Sequence, residues 1–149
     1  MQNVSALLIT GGYTGGPPRY GQWYTSAEVW APGVEGADPL HCNLPNMKFP
    51  RFHHTLTTRG GAAPLMCGGG NGENKKTCEQ YNSTSNSWQD MSARLVVERY
   101  GHSAWWDDTT GITYQMGGRK VETSVSTIST SGNVSTIGRP FWTMKNKTL

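Results

Sequence analysis

The sequence predicts an all-β chain built from short antiparallel strands grouped into repeated four-stranded sheets. Three observations carry that prediction. Short apolar runs end in glycine pairs at Gly11-Gly12 (LLITGG), Gly68-Gly69 (LMCGG) and Gly117-Gly118 (TYQMGG), at intervals of 57 and 49 residues. An Arg-aromatic-x-His lead-in recurs 48 residues apart, at Arg51 (RFHH) and Arg99 (RYGH). Two separate landmarks with nearly one period mark a tandem repeat. Finally, 35% hydrophobic and 15% charged residues are both low for a globular chain, while 19 glycines with many Ser and Thr suit tight turns between strands rather than a helical bundle.

The first unit, residues 1–45, is incomplete. Ala6 to Ile9 is its apolar strand and no innermost strand precedes it. A long Gly/Pro/Tyr loop, 13–25, leads to a further strand in SAEVWAP, and HCNLP (41–45) stands where a fourth strand would end. The second unit, 50–91, is complete. His54 and Leu56 begin its first strand, a turn follows at Gly60-Gly61, and Leu65 to Cys67 form its second strand. Tyr81 marks the third strand and Trp88 the fourth. The third unit spans 98–138: GHSAWW, a turn over Asp107 to Gly111, ITYQM, then SVSTIS and VSTI around Ser131-Gly132. Val125, Thr127 and Ser129 alternate with Ser124, Ser126 and Ile128, as a half-buried strand requires. SARLVVE, 92–98, reads as a connector with room for one short helical turn. A basic tail, 139–149, follows the repeat region of 1–138.

An apolar strand ending in Gly-Gly, then a Tyr-bearing and a Trp-bearing strand at about fifty residues per unit, resembles the kelch repeat. Gly68-Gly69, Tyr81 and Trp88 carry the full pattern. Gly117-Gly118 match in the third unit without the aromatics, and Gly11-Gly12 match in the first, where Val29-Trp30 stand near the Tyr position. The resemblance implies a β-propeller fragment of about three four-stranded antiparallel blades, with aromatics filling the wedge between them. It implies that Arg51 and Arg99 tie one blade to the next by bonding carbonyls, and that further blades are missing, since propellers close with at least four. The cysteine layout is similar to that of extracellular invertebrate kelch-like proteins. It implies a Cys67–Cys78 disulfide on adjacent strands, the alternative being buried thiols, and a partner for Cys42 in a blade this chain lacks.

Net charge is +3, too mild to imply nucleic acid. No apolar run approaches twenty residues, so no membrane span is expected, and MQNVSALLITGG does not read as a signal peptide. Sequons at Asn3, Asn82, Asn133 and Asn146 lean toward a secreted glycoprotein; three cysteines are also compatible with a cytoplasmic chain carrying buried thiols.

No residue set reads as catalytic, and no metal or cofactor is expected. GGGNGENKKT lacks the Gly-Lys-Ser/Thr junction of a phosphate loop and no helix follows it. His54 and His102 hold equivalent repeat positions, which points to structural imidazoles bonded to backbone, and with His53 they lack a third ligand at metal-site spacing. Asp107-Asp108 reads as a hairpin turn. Trp105 and Trp106 read as packing groups, one on each face of a strand. The loops after the glycine pairs carry Arg19, Lys75, Lys76, Arg119 and Lys120, with Tyr20, Trp23 and Tyr24 as aromatic anchors. Repetition puts equivalent loops on one face, so that rim is the expected binding surface. The expected function is a non-catalytic interaction scaffold for a protein, acidic peptide or glycan. The alternatives are an extracellular carbohydrate- or matrix-binding module and the propeller part of a galactose-oxidase-like enzyme. The last would require a cysteine-linked tyrosine and paired histidines that the sequence does not supply.

Overall fold

The computed structural model describes residues 6–16, 19–33, 40–59, 62–70, 75–118, 125–129 and 134–137. Within them the chain is all-β, with antiparallel sheets of two to four strands. The first sheet has the order β1 (Leu7–Thr10), β4 (Ala27–Ala31), β5 (Leu40–Leu44). Between β1 and β4 the chain forms a separate hairpin, β2 (Tyr13–Gly16) with β3 (Arg19–Trp23), where a loop was expected. Tyr and Trp at opposed positions 13 and 23 suit a pleated pair better than an irregular loop.

The second sheet runs β6 (Thr55–Arg59), β7 (Ala62–Cys67), β8 (Thr77–Asn82), β9 (Ser87–Arg94). Strand β9 continues through Ser92 to Arg94, so strand takes up the start of the stretch read as a connector. The third sheet runs β10 (Ser103–Asp107), β11 (Ile112–Met116), β12 (Val125–Ser129), β13 (Val134–Ile137). The turns expected at Gly60-Gly61 and Ser131-Gly132, and the tail from 139, lie outside the described residues.

Register makes the repeat exact enough to compare positions. Cys67 pairs with Cys78, Thr10 with Ala27, and Met116 with Val125, each strand residue standing directly before its glycine pair. On that frame Trp30 takes the place of Tyr81, and Ser126 the place of Glu79.

Alternation along β6 and β7 gives the second sheet two buried faces. Met66 and Trp88 pack with Ala27 of the first unit and Met47 of the connection after it, flanked by Leu8, Leu44, Leu56 and Tyr81. Tyr81 and Trp88 lie against each other at 5.4 Å. On the opposite face Leu65, Cys67, Cys78, Ala93 and Leu95 form a second cluster, with Cys67 and Cys78 joined in a disulfide. Cys42 is free and exposed on β5.

The glycine pairs and arginines join the sheets in a way the sequence reading missed. The guanidinium of Arg51 bonds groups of its own unit. Nη1 donates to the carbonyls of Gly68 and Thr77, while Nε and Nη2 reach Glu79 Oε1 at 3.0 and 2.9 Å. Glu79 Oε2 accepts from the Lys48 backbone N–H at 2.7 Å. Arg99 likewise donates to its own unit's Gly117 carbonyl. The tie between sheets is the arginine's backbone carbonyl: Gly12 N–H donates to Arg51 O at 2.8 Å and Gly69 N–H to Arg99 O at 2.9 Å. The first glycine of each pair makes room for that approach. A Cβ on Gly11 would collide with Arg51 O, and one on Gly68 would stand 2.7 Å from both Arg99 O and His102 Cε1. Both glycines also hold positive φ, at 62° and 68°, where any side chain is strained.

The histidines complete the seams. His54 Nε2 shares a 2.7 Å hydrogen bond with Thr10 Oγ1, and His102 Nε2 a 3.1 Å bond with Thr55 Oγ1, which also donates to Gln115 Oε1. Their partners are threonine hydroxyls of the preceding unit rather than backbone groups.

Candidate functional site

Strand direction gathers the variable segments at one end. The end of β1, β7 and β11, the start of the strand that follows each, and the lead-ins 51–54 and 99–102 all lie there, because Gly12 and Gly69 bond the lead-in carbonyls. Phe52 is the centre of what this end displays. The β2–β3 hairpin folds over it. The Tyr13 ring lies 5.4 Å from Phe52, and the Trp23 ring stacks on it at 6.1 Å and 11°. His53 meets Phe52 edge-on at 5.2 Å. Tyr13 is 53% and Trp23 44% exposed, so two large rings face water in one patch. Tyr24 hydrogen-bonds Thr14 at 3.2 Å across the hairpin.

His53 holds a left-handed backbone with φ 54°, at the position where the third unit has Gly101 with φ 60°. Gly101 N–H donates to His53 O at 2.8 Å, linking the two lead-ins. A non-glycine residue in that conformation costs about 1–2 kcal/mol. The second unit therefore keeps an exposed imidazole on the rim where glycine would fit with less strain.

The predicted rim residues divide as follows. Arg19 and Tyr20 lie on β3, and Trp23 at its end is part of the aromatic patch. Lys75 and Lys76 form a single 3-10 turn before β8; Lys76 is exposed, and their carbonyls accept from Arg99 and Leu95 N–H groups. Arg119 and Lys120 lie outside the described residues. Phe52 and His53 were not singled out as rim groups, although the match between RFHH and RYGH exposes His53 as the odd residue at a glycine position.

The other candidates take structural places. Asp107 accepts from Thr109 N–H at 2.9 Å and the Thr110 hydroxyl at 2.6 Å, the hydrogen bonds of a turn, and these hold its carboxyl below the usual range. Trp106 donates from its indole to Asp108. Trp105 corrects the packing expectation: it is 55% exposed and stacks on Tyr114 at 5.4 Å. Burial, reinforced by Arg51 and Arg99 respectively, pushes His54 and His102 down to about 4, so both are neutral at physiological pH. Among the described residues no three His, Cys, Asp or Glu side chains gather as a metal site. No protein-family model matches the chain, and no curated protein matches it.

Proposed function

We propose that the chain is a kelch-type propeller segment that acts as a non-catalytic interaction scaffold, binding an acidic peptide or protein through the rim around Phe52. The observation that carries the reading is the exposed stack of Tyr13 and Trp23 on Phe52 beside the strained His53. Strain retained at an exposed residue points to use of its side chain, and rigid aromatics are favoured anchors in interfaces. Lys76, exposed at the same end, supplies the positive charge that selects an acidic partner.

The test is an array of acidic peptides probed with the whole chain. Trp23→Ala should weaken the retained peptides by about tenfold or more, and Lys75→Glu with Lys76→Glu should weaken them further at low salt than at high salt. His53→Gly should lose binding while gaining stability. Retention of no peptide, or equal retention by all variants, contradicts the reading.

A further inference from the structure

The outward face of the third sheet repeats a surface that is buried in the second. On the second sheet, Thr55 and Thr57 (8% and 7% exposed) and Leu65 and Cys67 (1% and 0%) form the face covered by the third. By register their equivalents are Ser103, Trp105, Tyr114 and Met116. Ser103 is exposed, Trp105 is 55% exposed, and Tyr114 and Met116 are half-buried.

The glycine pair at its edge tells the same story. Gly117 and Gly118 hold φ 69° and 99°, matching 68° and 97° at Gly68 and Gly69. Gly68 and Gly69 are buried, whereas Gly117 and Gly118 are exposed. In the second and third units the second glycine is explained within its own unit: a Cβ on Gly118 would stand 2.9 Å from Tyr100 O and His102 Cβ, as one on Gly69 would from Phe52 O. At the first glycine, positive φ recurs in all three pairs, and a Cβ on Gly11 or Gly68 would in addition meet the next lead-in. Among the described residues nothing stands within 4 Å of a Cβ on Gly117.

We infer that this face is a docking seat for an Arg-aromatic-x-His-Ser/Thr segment of a partner polypeptide. Its arginine carbonyl accepts from Gly118 N–H, its imidazole packs over Gly117 and bonds Ser103 Oγ, and the strand that follows covers Trp105 and Tyr114. The first two contacts copy those seen at Gly69–Arg99 and Thr55–His102. A second copy of this chain is a poor occupant. Its own two lead-ins are held in its own seams, with Arg51 and Arg99 at 1% and 0% exposure and His102 at 8%. The inference does not depend on the rim around Phe52.

The probe is a synthetic peptide with the chain's own lead-in sequence, Glu-Arg-Tyr-Gly-His-Ser-Ala, titrated into the 15N-labelled whole chain to roughly millimolar concentration, the range expected of one short strand. Saturable shifts at the Gly117, Gly118 and Ser103 amides are expected, with Gly12 and Gly69 unmoved. Replacing the peptide histidine by alanine should weaken binding about tenfold, the equivalent of one hydrogen bond with its packing. Gly117→Ala should abolish the shifts while the Gly12 and Gly69 resonances report an intact fold; the peptide variant carries the test if that substitution unfolds the third sheet. Absence of shifts, or equal binding by the alanine peptide, overturns the proposal. So does concentration-dependent dimerisation that perturbs the same amides without peptide, since it would make a second copy the occupant.

Discussion

The two seams that flank the second sheet are built from different chemistry. The first is apolar: Met66, Trp88 and Leu56 meet Ala27, Met47, Leu8 and Leu44. The second buries Thr55, Thr57, Thr113, Gln115 and His102 beside the disulfide-linked cluster. Apolar contacts are non-directional and tolerate rearrangement, whereas buried hydrogen bonds hold one register. Both seams carry a cost: Thr113 Oγ1, Gln115 Nε2 and His102 Nδ1 in the second, and Trp88 Nε1 and His54 Nδ1 in the first, are buried with no partner among the described residues. What the seams share is the Gly-Gly, arginine and histidine joint. The difference teaches that backbone geometry sets how the sheets meet, while side-chain chemistry at the interface is free to vary.

Acid should produce the largest effect, and should strike both seams. His54 serves the first and His102 the second, and each is held at about 4 against an ordinary 6.5. Between those values the unfolded chain binds protons that the folded chain refuses, so stability rises with pH there. The contribution is fully present above about pH 6.5, falls as pH drops toward 4, and levels below. Each histidine accounts for a loss on the order of 3 kcal/mol. Urea midpoints measured from pH 7 to 4 check this. His54→Asn and His102→Asn should each remove about half of the slope, and a slope surviving the double variant would assign the effect elsewhere.

Arg51 comes next. Its guanidinium and the Glu79 carboxylate are both buried, at 1% and 0% exposure, so Arg51→Met strands a charge at a cost of about 3–5 kcal/mol. Arg51→Met with Glu79→Leu should recover much of that in denaturant melts. A double variant as unstable as the single would assign the cost to the lost carbonyl bonds instead. Smaller still, Thr55→Val should cost about 1–3 kcal/mol by removing the hydroxyl that His102 and Gln115 share. Adding Gln115→Met, the residue that Met66 places at the equivalent position, should restore part of it by making the second seam resemble the first.

The repeat was readable because its glycines and its Arg-aromatic-x-His lead-ins answer to backbone geometry, which a short motif records directly. The strands of the second unit followed from alternation and turn residues. What escaped was set by partners distant in sequence. Nothing near Glu79 announces that it faces Arg51, 28 residues away. The hairpin at 13–23 was obscured by its glycines and prolines, and its role depends on Phe52, a residue of the next unit. Trp105 was expected to pack because a strand puts one ring of the Trp105-Trp106 pair on each face. Its exposure reflects the sheet's position in the row, which local sequence does not encode.

The stacked arrangement rests on two glycine amides, and their hydrogen exchange tests it most directly. Gly12 and Gly69 donate to Arg51 O and Arg99 O across the seams, while Gly118 is exposed. Residue-resolved exchange of the native chain should show Gly12 and Gly69 protected with the sheets they join, and Gly118 exchanging near the rate of an open backbone amide. Exchange at Gly12 and Gly69 as fast as at Gly118 would contradict the joint between the sheets.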